Sequence, residues 1–184
     1  NELLIGVMKG MAETDLAGAT ELMKELNYGL YLDKAASTLL ASAWAKGEQN
    51  AIDWVESFPD GKARNSAYEA LGKRLIREDI DRAVEWVDSM DESEIKTKIA
   101  KETAKAMVIL SPEKAADWVA RMPVGEARSA SMERVVSQWV EDDPVATAEW
   151  LNQFPNDQGI DGTLAIFSHA VAEKQPQSAL QWAQ

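Results

Sequence analysis

The chain has 184 residues, 46% of them hydrophobic and 27% charged, and a formal net charge of −12. That composition supports a packed core and argues against disorder, while the negative balance argues against nucleic acid and anionic membrane surfaces as partners. There is no cysteine and one histidine, His169. Thiol nucleophiles, disulfides, cysteine-held metal clusters and any mechanism with two imidazoles are therefore excluded, and no compartment is assigned.

In chain order, the first predicted helix carries Leu4, Val7, Met8, Met11 and Ala12 on its apolar columns. A shorter helix follows with Ala19, Leu22, Met23 and Leu26 at three- and four-residue spacing, which marks one helix face. Trp44 stands in the next long helix, in a column that later holds Ile76, Val108 and Val140. Ala51, Trp54, Val55 and Phe58 repeat the short pattern, and Pro59 with Gly61 end it. Tyr68, Leu71, Leu75 and Ile76 mark another long helix, and Ala83, Trp86, Val87 and Met90 another short one. Ser111 reads as an N-cap and Pro112 as the first residue of a helix bearing Ala115, Trp118, Val119 and Met122. Pro123 and Gly125 stop it. A long helix runs from about Glu126 to Val140 with Met132, Val135, Val136, Trp139 and Val140 inward. Asp143-Pro144 opens a helix with Thr147, Trp150, Leu151 and Phe154. Leu164, Phe167, Val171 and Ala172 mark the last long helix, and Gln175-Pro176 opens a short one with Ala179, Trp182 and Ala183.

One period runs through all of this. Trp54, Trp86, Trp118, Trp150 and Trp182 follow one another at 32-residue steps without a gap, and Leu22 stands one step earlier. Each period holds one long and one short helix, too little to bury an apolar face alone. Stacking such hairpins buries it. The predicted fold is all-α: an α-solenoid, a right-handed superhelix or arc, in a single domain over residues 1–184. It comprises about six antiparallel hairpins, at 1–26, 27–58, 59–90, 91–122, 123–154 and 155–184. Layers of ~8–10 Å would make it roughly 50–60 Å long. The first helix is rich in apolar residues (Leu3, Leu4, Ile5, Val7, Met8, Met11), where a capping helix is usually polar. The chain is therefore expected to be a stretch of a longer array, or to lack disordered ends.

A proline six residues before a tryptophan recurs at Pro112 and Trp118, Pro144 and Trp150, and Pro176 and Trp182. This spacing resembles the tetratricopeptide class of helical-hairpin repeats. The period there is about 34 residues. The Leu-Gly that follows the tryptophan in that family is replaced here by Ser57-Phe58, Arg121-Met122 and Gln153-Phe154. The resemblance is to the class, and it implies a protein-interaction scaffold.

The tryptophans could suggest a sugar platform or a base-stacking surface. Five share a column with Ala and Val or Leu, and Trp139 shares one with Leu75 and Met107, which is core placement; Trp44 is expected to be partly buried. Glu21, Asp53, Glu85, Asp117 and Glu149 form an acidic column beside the tryptophans. It is read as a solvated face or as pairing with the basic column Arg64, Lys96 and Arg128. Its members stand one repeat apart, too far to share a metal ion. Ser168 and His169 are helical neighbours about 100° apart, which does not make a nucleophile–base pair. The stretch from Asp157 to Gly162 is faintly calcium-like but lacks the further acidic ligands, and it reads as an inter-helix turn. No catalytic residue, cofactor or metal site is predicted.

The expected function is a non-enzymatic scaffold that binds a protein or peptide. The candidate partner surface is Lys73, Arg74, Arg77, Lys98, Lys101 and Lys105, cations off the core columns that suit an acidic partner. Two alternatives stay open: an all-α carbohydrate-active enzyme or sugar-binding domain using Trp and carboxylates, and a structural segment of a larger multidomain protein.

Overall fold

Ser111 ends one helix and starts the next. Its N–H donates to the Met107 carbonyl at 2.8 Å, and its hydroxyl accepts from the Lys114 N–H at 3.4 Å. Pro112 takes the first helical position, where the N–H it lacks would have no partner. Asp143 and Pro144 repeat the device: the Asp143 N–H donates to the Trp139 carbonyl at 2.8 Å, and its Oδ1 accepts from the Ala146 N–H at 2.9 Å. Asp15, Asp79 and Ser93 cap three further helices with their side chains. Gly47, at φ 125°, enters its helix without a side-chain cap and occupies the left-handed region that favours glycine. Ser111→Ala and Asp143→Ala are each expected to cost about 1 kcal/mol. A urea titration should show this as a lower midpoint at unchanged slope.

The computed structural model describes residues 2–26, 29–154 and 159–174. The short helix predicted around Ala179, Trp182 and Ala183, with its opening Gln175-Pro176, lies outside them. So does Asp157 of the predicted turn. Among the described residues the fold is all-α, with eleven helices packed against each other and no strand. Two compact units divide the chain, Asn1–Glu78 and Asp79–Gln184. In the first are α1 (Glu2–Ala12), α2 (Leu16–Lys24), α3 (Gly29–Trp44), α4 (Glu48–Glu56) and α5 (Lys62–Glu78). In the second are α6 (Ile80–Ser89), α7 (Glu94–Leu110), α8 (Pro112–Arg121), α9 (Glu126–Asp142), α10 (Pro144–Leu151) and α11 (Asp161–Lys174).

The same pairing builds both units. In the first, α1, α3 and α5 lie side by side, with α2 against α1 and α3, and α4 against α3 and α5. In the second, α7, α9 and α11 form the row; α6 packs on α7, α8 on α7 and α9, and α10 on α9 and α11. The short helices seat themselves through one repeated face: Ala51, Trp54 and Val55; Ala83, Trp86 and Val87; Ala115, Trp118 and Val119; Thr147, Trp150 and Leu151. All four indoles are buried, as is Trp139. Trp54 and Trp118 also bond back to the preceding short helix. Trp54 Nε1 donates to Thr20 Oγ1 at 2.9 Å, and Trp118 Nε1 to Asp88 Oδ1 at 3.0 Å. Trp54 and Trp150 meet Phe58 and Phe154 edge to face, with centroids 5.0 and 5.2 Å apart. Such pairs add roughly 0.5–1.5 kcal/mol to the area buried.

Three predicted core residues, Val7, Leu164 and Ala172, are corrected. Val7 is 53% exposed, Leu164 is 40% exposed and Ala172 is exposed, while Leu39 and Met132, each one period from Val7 and Leu164 along their columns, are buried. The reason is the number of neighbours. In each row an interior long helix such as α3 or α9 is covered on both flanks, whereas α1 and α11 each have one long neighbour. Leu3 is exposed too, although Ala35 of its column, on the doubly flanked α3, is buried.

Candidate functional site

Three of the six predicted surface cations come from one turn-and-a-half of α5. Leu71 and Leu75 point into the core, which leaves Lys73, Arg74 and Arg77 toward solvent. The side chains of Lys73 and Arg77 are 68% and 66% exposed, and that of Arg74 only 29%. Arg74 is held down by Trp44 at the end of α3, its guanidinium 5.0 Å from the indole centroid. A cation over an indole is worth about 0.5–1 kcal/mol when exposed and more when dry.

These groups rim a groove of ≈ 250 Å³ between α3 and α5. Leu40, Ala41 and Trp44 form the α3 side, and Ala70 with the three cations the α5 side. The groove exists because Ala41 and Ala70 are small where the two helices face each other. Later in the repeat, Lys73 and Lys105 occupy the register of Ala41, and Glu102 and Arg134 that of Ala70. Trp44 is half-buried, as expected from its column. Among the described tryptophans it alone is not buried.

Carboxylates around the groove are fewer than cations. Glu69 lies 3.8 Å from Lys73, while Glu78 serves both arginines, 3.1 Å from Arg74 and 3.7 Å from Arg77. Lys98, Lys101 and Lys105 belong to the other unit. They lie along one side of α7, Lys98 and Lys105 exposed and Lys101 half-buried, followed by exposed Ile109 and Leu110. Reasoning from the sequence named the cations but missed Leu40, Ala41, Trp44 and Ala70. The available signal was the indole of Trp44 in an otherwise aliphatic column.

The acidic column is exposed at all five positions. Three of its members have partners other than the basic column. Glu21 binds Lys24 at 2.7 Å, Asp53 accepts from Gln49 Nε2 at 2.8 Å, and Glu85 pairs with Arg82. The basic column turns inward instead. Lys96 is 4% exposed; its ammonium donates to the Met90 carbonyl at 2.8 Å and pairs with Glu92 at 2.9 Å. Arg128 is also buried, its guanidinium over the Phe154 ring. Arg64 pairs with Asp60 and lies over Tyr68; the hydrogen bond to the Tyr68 hydroxyl raises its already high pKa. The buried indoles of α4, α6, α8 and α10 present no open row on which sugars or bases could stack.

Ser168 and His169 are exposed on α11, and His169 Nδ1 lies 3.8 Å from Glu173 Oε1. His169→Gln is expected to change the unfolding free energy by less than about 0.5 kcal/mol, which a thermal melt would check. Among the described residues no group of three potential ligands could hold a metal ion, and no helix is long and apolar enough to cross a membrane. Compared with protein-family models, curated proteins and solved structures, the chain matches none.

Proposed function

We propose that the chain is an α-solenoid of tetratricopeptide-like hairpins that binds a protein or peptide partner and catalyses no reaction. The observation that carries this reading is the recurrence of one packing rule in both units: each of α2, α4, α8 and α10 rests on two successive long helices through one repeated apolar face. Such a rule spends the tryptophans on structure and leaves the outer sides of the long helices to vary, which is how helical-repeat scaffolds present binding surfaces. The 32-residue step runs through the sequence of both units without a gap, which supports one repeat in each. The partner in this reading is acidic and meets the cations of α5 or those of α7.

A panel of short peptides of graded charge, passed over the immobilised full chain, tests the proposal. Acidic members should be retained saturably. Their retention should fall as the Debye length shrinks from roughly 30 Å at 0.01 M salt to about 8 Å at 0.15 M. Exchanging Lys73, Arg74 and Arg77 for Glu should weaken retention and leave the helical circular dichroism unchanged. Salt-independent retention that survives the triple exchange would refute the charged surface. Release of reducing ends from a polysaccharide would refute the non-enzymatic reading.

A further inference from the structure

Trp44 departs from the repeat in a way that packing does not require. Its column holds Ile76, Val108 and Val140, and an aliphatic residue there suffices to cover a helix end. The indole instead stands half-open beside small Ala41 and Ala70, under a guanidinium, at the edge of a groove. We infer that the groove between α3 and α5 is a docking site for an acidic peptide segment carrying one apolar side chain. The inference rests on the scaffold reading above and names its site.

Size and charge choose the occupant. A volume of ≈ 250 Å³ is below the roughly 300–1,000 Å³ of pockets that enclose a cofactor or drug-sized ligand. It suits a single large side chain seated on Leu40, Ala41, Trp44 and Ala70. Three cations on the rim face two carboxylates, and Glu78 is divided between two guanidiniums at 3.1 and 3.7 Å, neither of them a two-pronged pairing. A partner carboxylate would complete Arg77 and Lys73, both about two-thirds exposed and set on the open side of the groove. The chain's charge of −12 repels a polyphosphate backbone at longer range, whereas a short acidic segment needs only the local excess.

The test uses the full chain and a defined probe, the acetylated and amidated peptide Asp-Glu-Phe-Asp-Glu, followed by two-dimensional proton–nitrogen spectra. Its addition should move the Trp44 indole N–H and the backbone amides of 37–44 and 70–77 along one saturable curve. Glycine in place of the phenylalanine should weaken binding on the order of tenfold, the scale of one pocket-filling apolar group. Trp44→Leu restores the aliphatic register of the column and should remove that preference for phenylalanine. Lys73→Glu with Arg77→Glu should abolish the shifts while dichroism stays constant. Equal binding of the glycine peptide, or a phenylalanine preference that survives Trp44→Leu, would overturn the inference. So would a single-stranded oligonucleotide that moves the same signals as strongly. Shifts confined to α7 around Lys98–Lys105 would overturn the groove and leave the scaffold reading standing. Retention of acidic peptides that never perturbs the groove would do the same.

Discussion

Trp118→Ala is expected to lower the unfolding free energy by about 3–5 kcal/mol, the range for removing a large aromatic side chain from a packed interior. Trp118 is 2% exposed and is the largest fully buried side chain among the described residues. Its helix, α8, rests on both α7 and α9, so the vacancy opens between three elements and cannot close by moving one of them. The substitution also removes the indole N–H that bonds Asp88 Oδ1 at 3.0 Å. Asp88 is exposed and regains water, so the loss is dominated by packing. Urea unfolding followed by dichroism would measure it. Trp44→Ala is the internal control: its indole is half-buried, and the expected loss is several-fold smaller. Equal losses at the two sites would mean that the row of tryptophans is not what joins successive hairpins.

Lys96→Ala is expected to cost about 2–4 kcal/mol. A hydrogen bond from a charged donor is worth about 1.5–3 kcal/mol, and each buried methylene of the stem adds up to about 0.8 kcal/mol. Lys96 is 4% exposed, and its ammonium reaches back six residues to the Met90 carbonyl, where α6 ends. It thereby ties the start of α7 to the end of α6 with a cation at a helix C-terminus, the favourable sign for the helix dipole. Lys96→Met keeps the stem and drops the charge, so about half of the loss should return. Glu92→Gln should cost no more than about 1 kcal/mol, because Glu92 is half-exposed and its pairing is screened. The order Ala, then Met, then the Glu92 change in decreasing cost is the expected outcome of chemical denaturation. A Glu92→Gln loss as large as that of Lys96→Ala would shift the role from the Met90 carbonyl to the ion pair.

The described helices, the caps at Ser111 and Asp143 and the buried tryptophans could be read from residue order alone. Ser111-Pro112 and Asp143-Pro144 act through atoms no more than four residues away, and apolar spacing of three and four residues needs only helix geometry. For that reason the helix expected from Glu126 to Val140 is found at Glu126–Asp142. Three things depended on which helices lie side by side. Val7 and Leu164 share columns with Leu39 and Met132, which are buried on α3 and α9 between two long helices, whereas α1 and α11 each pack on one. Lys96 and Arg128 look like surface charges in the sequence, but their long stems lie along the core and carry the charged ends to neighbouring groups. The groove needed Ala41 and Trp44 of α3 to meet Ala70 and Arg74 of α5. These residues are some thirty positions apart, and no local pattern relates them until packing brings the two helices together.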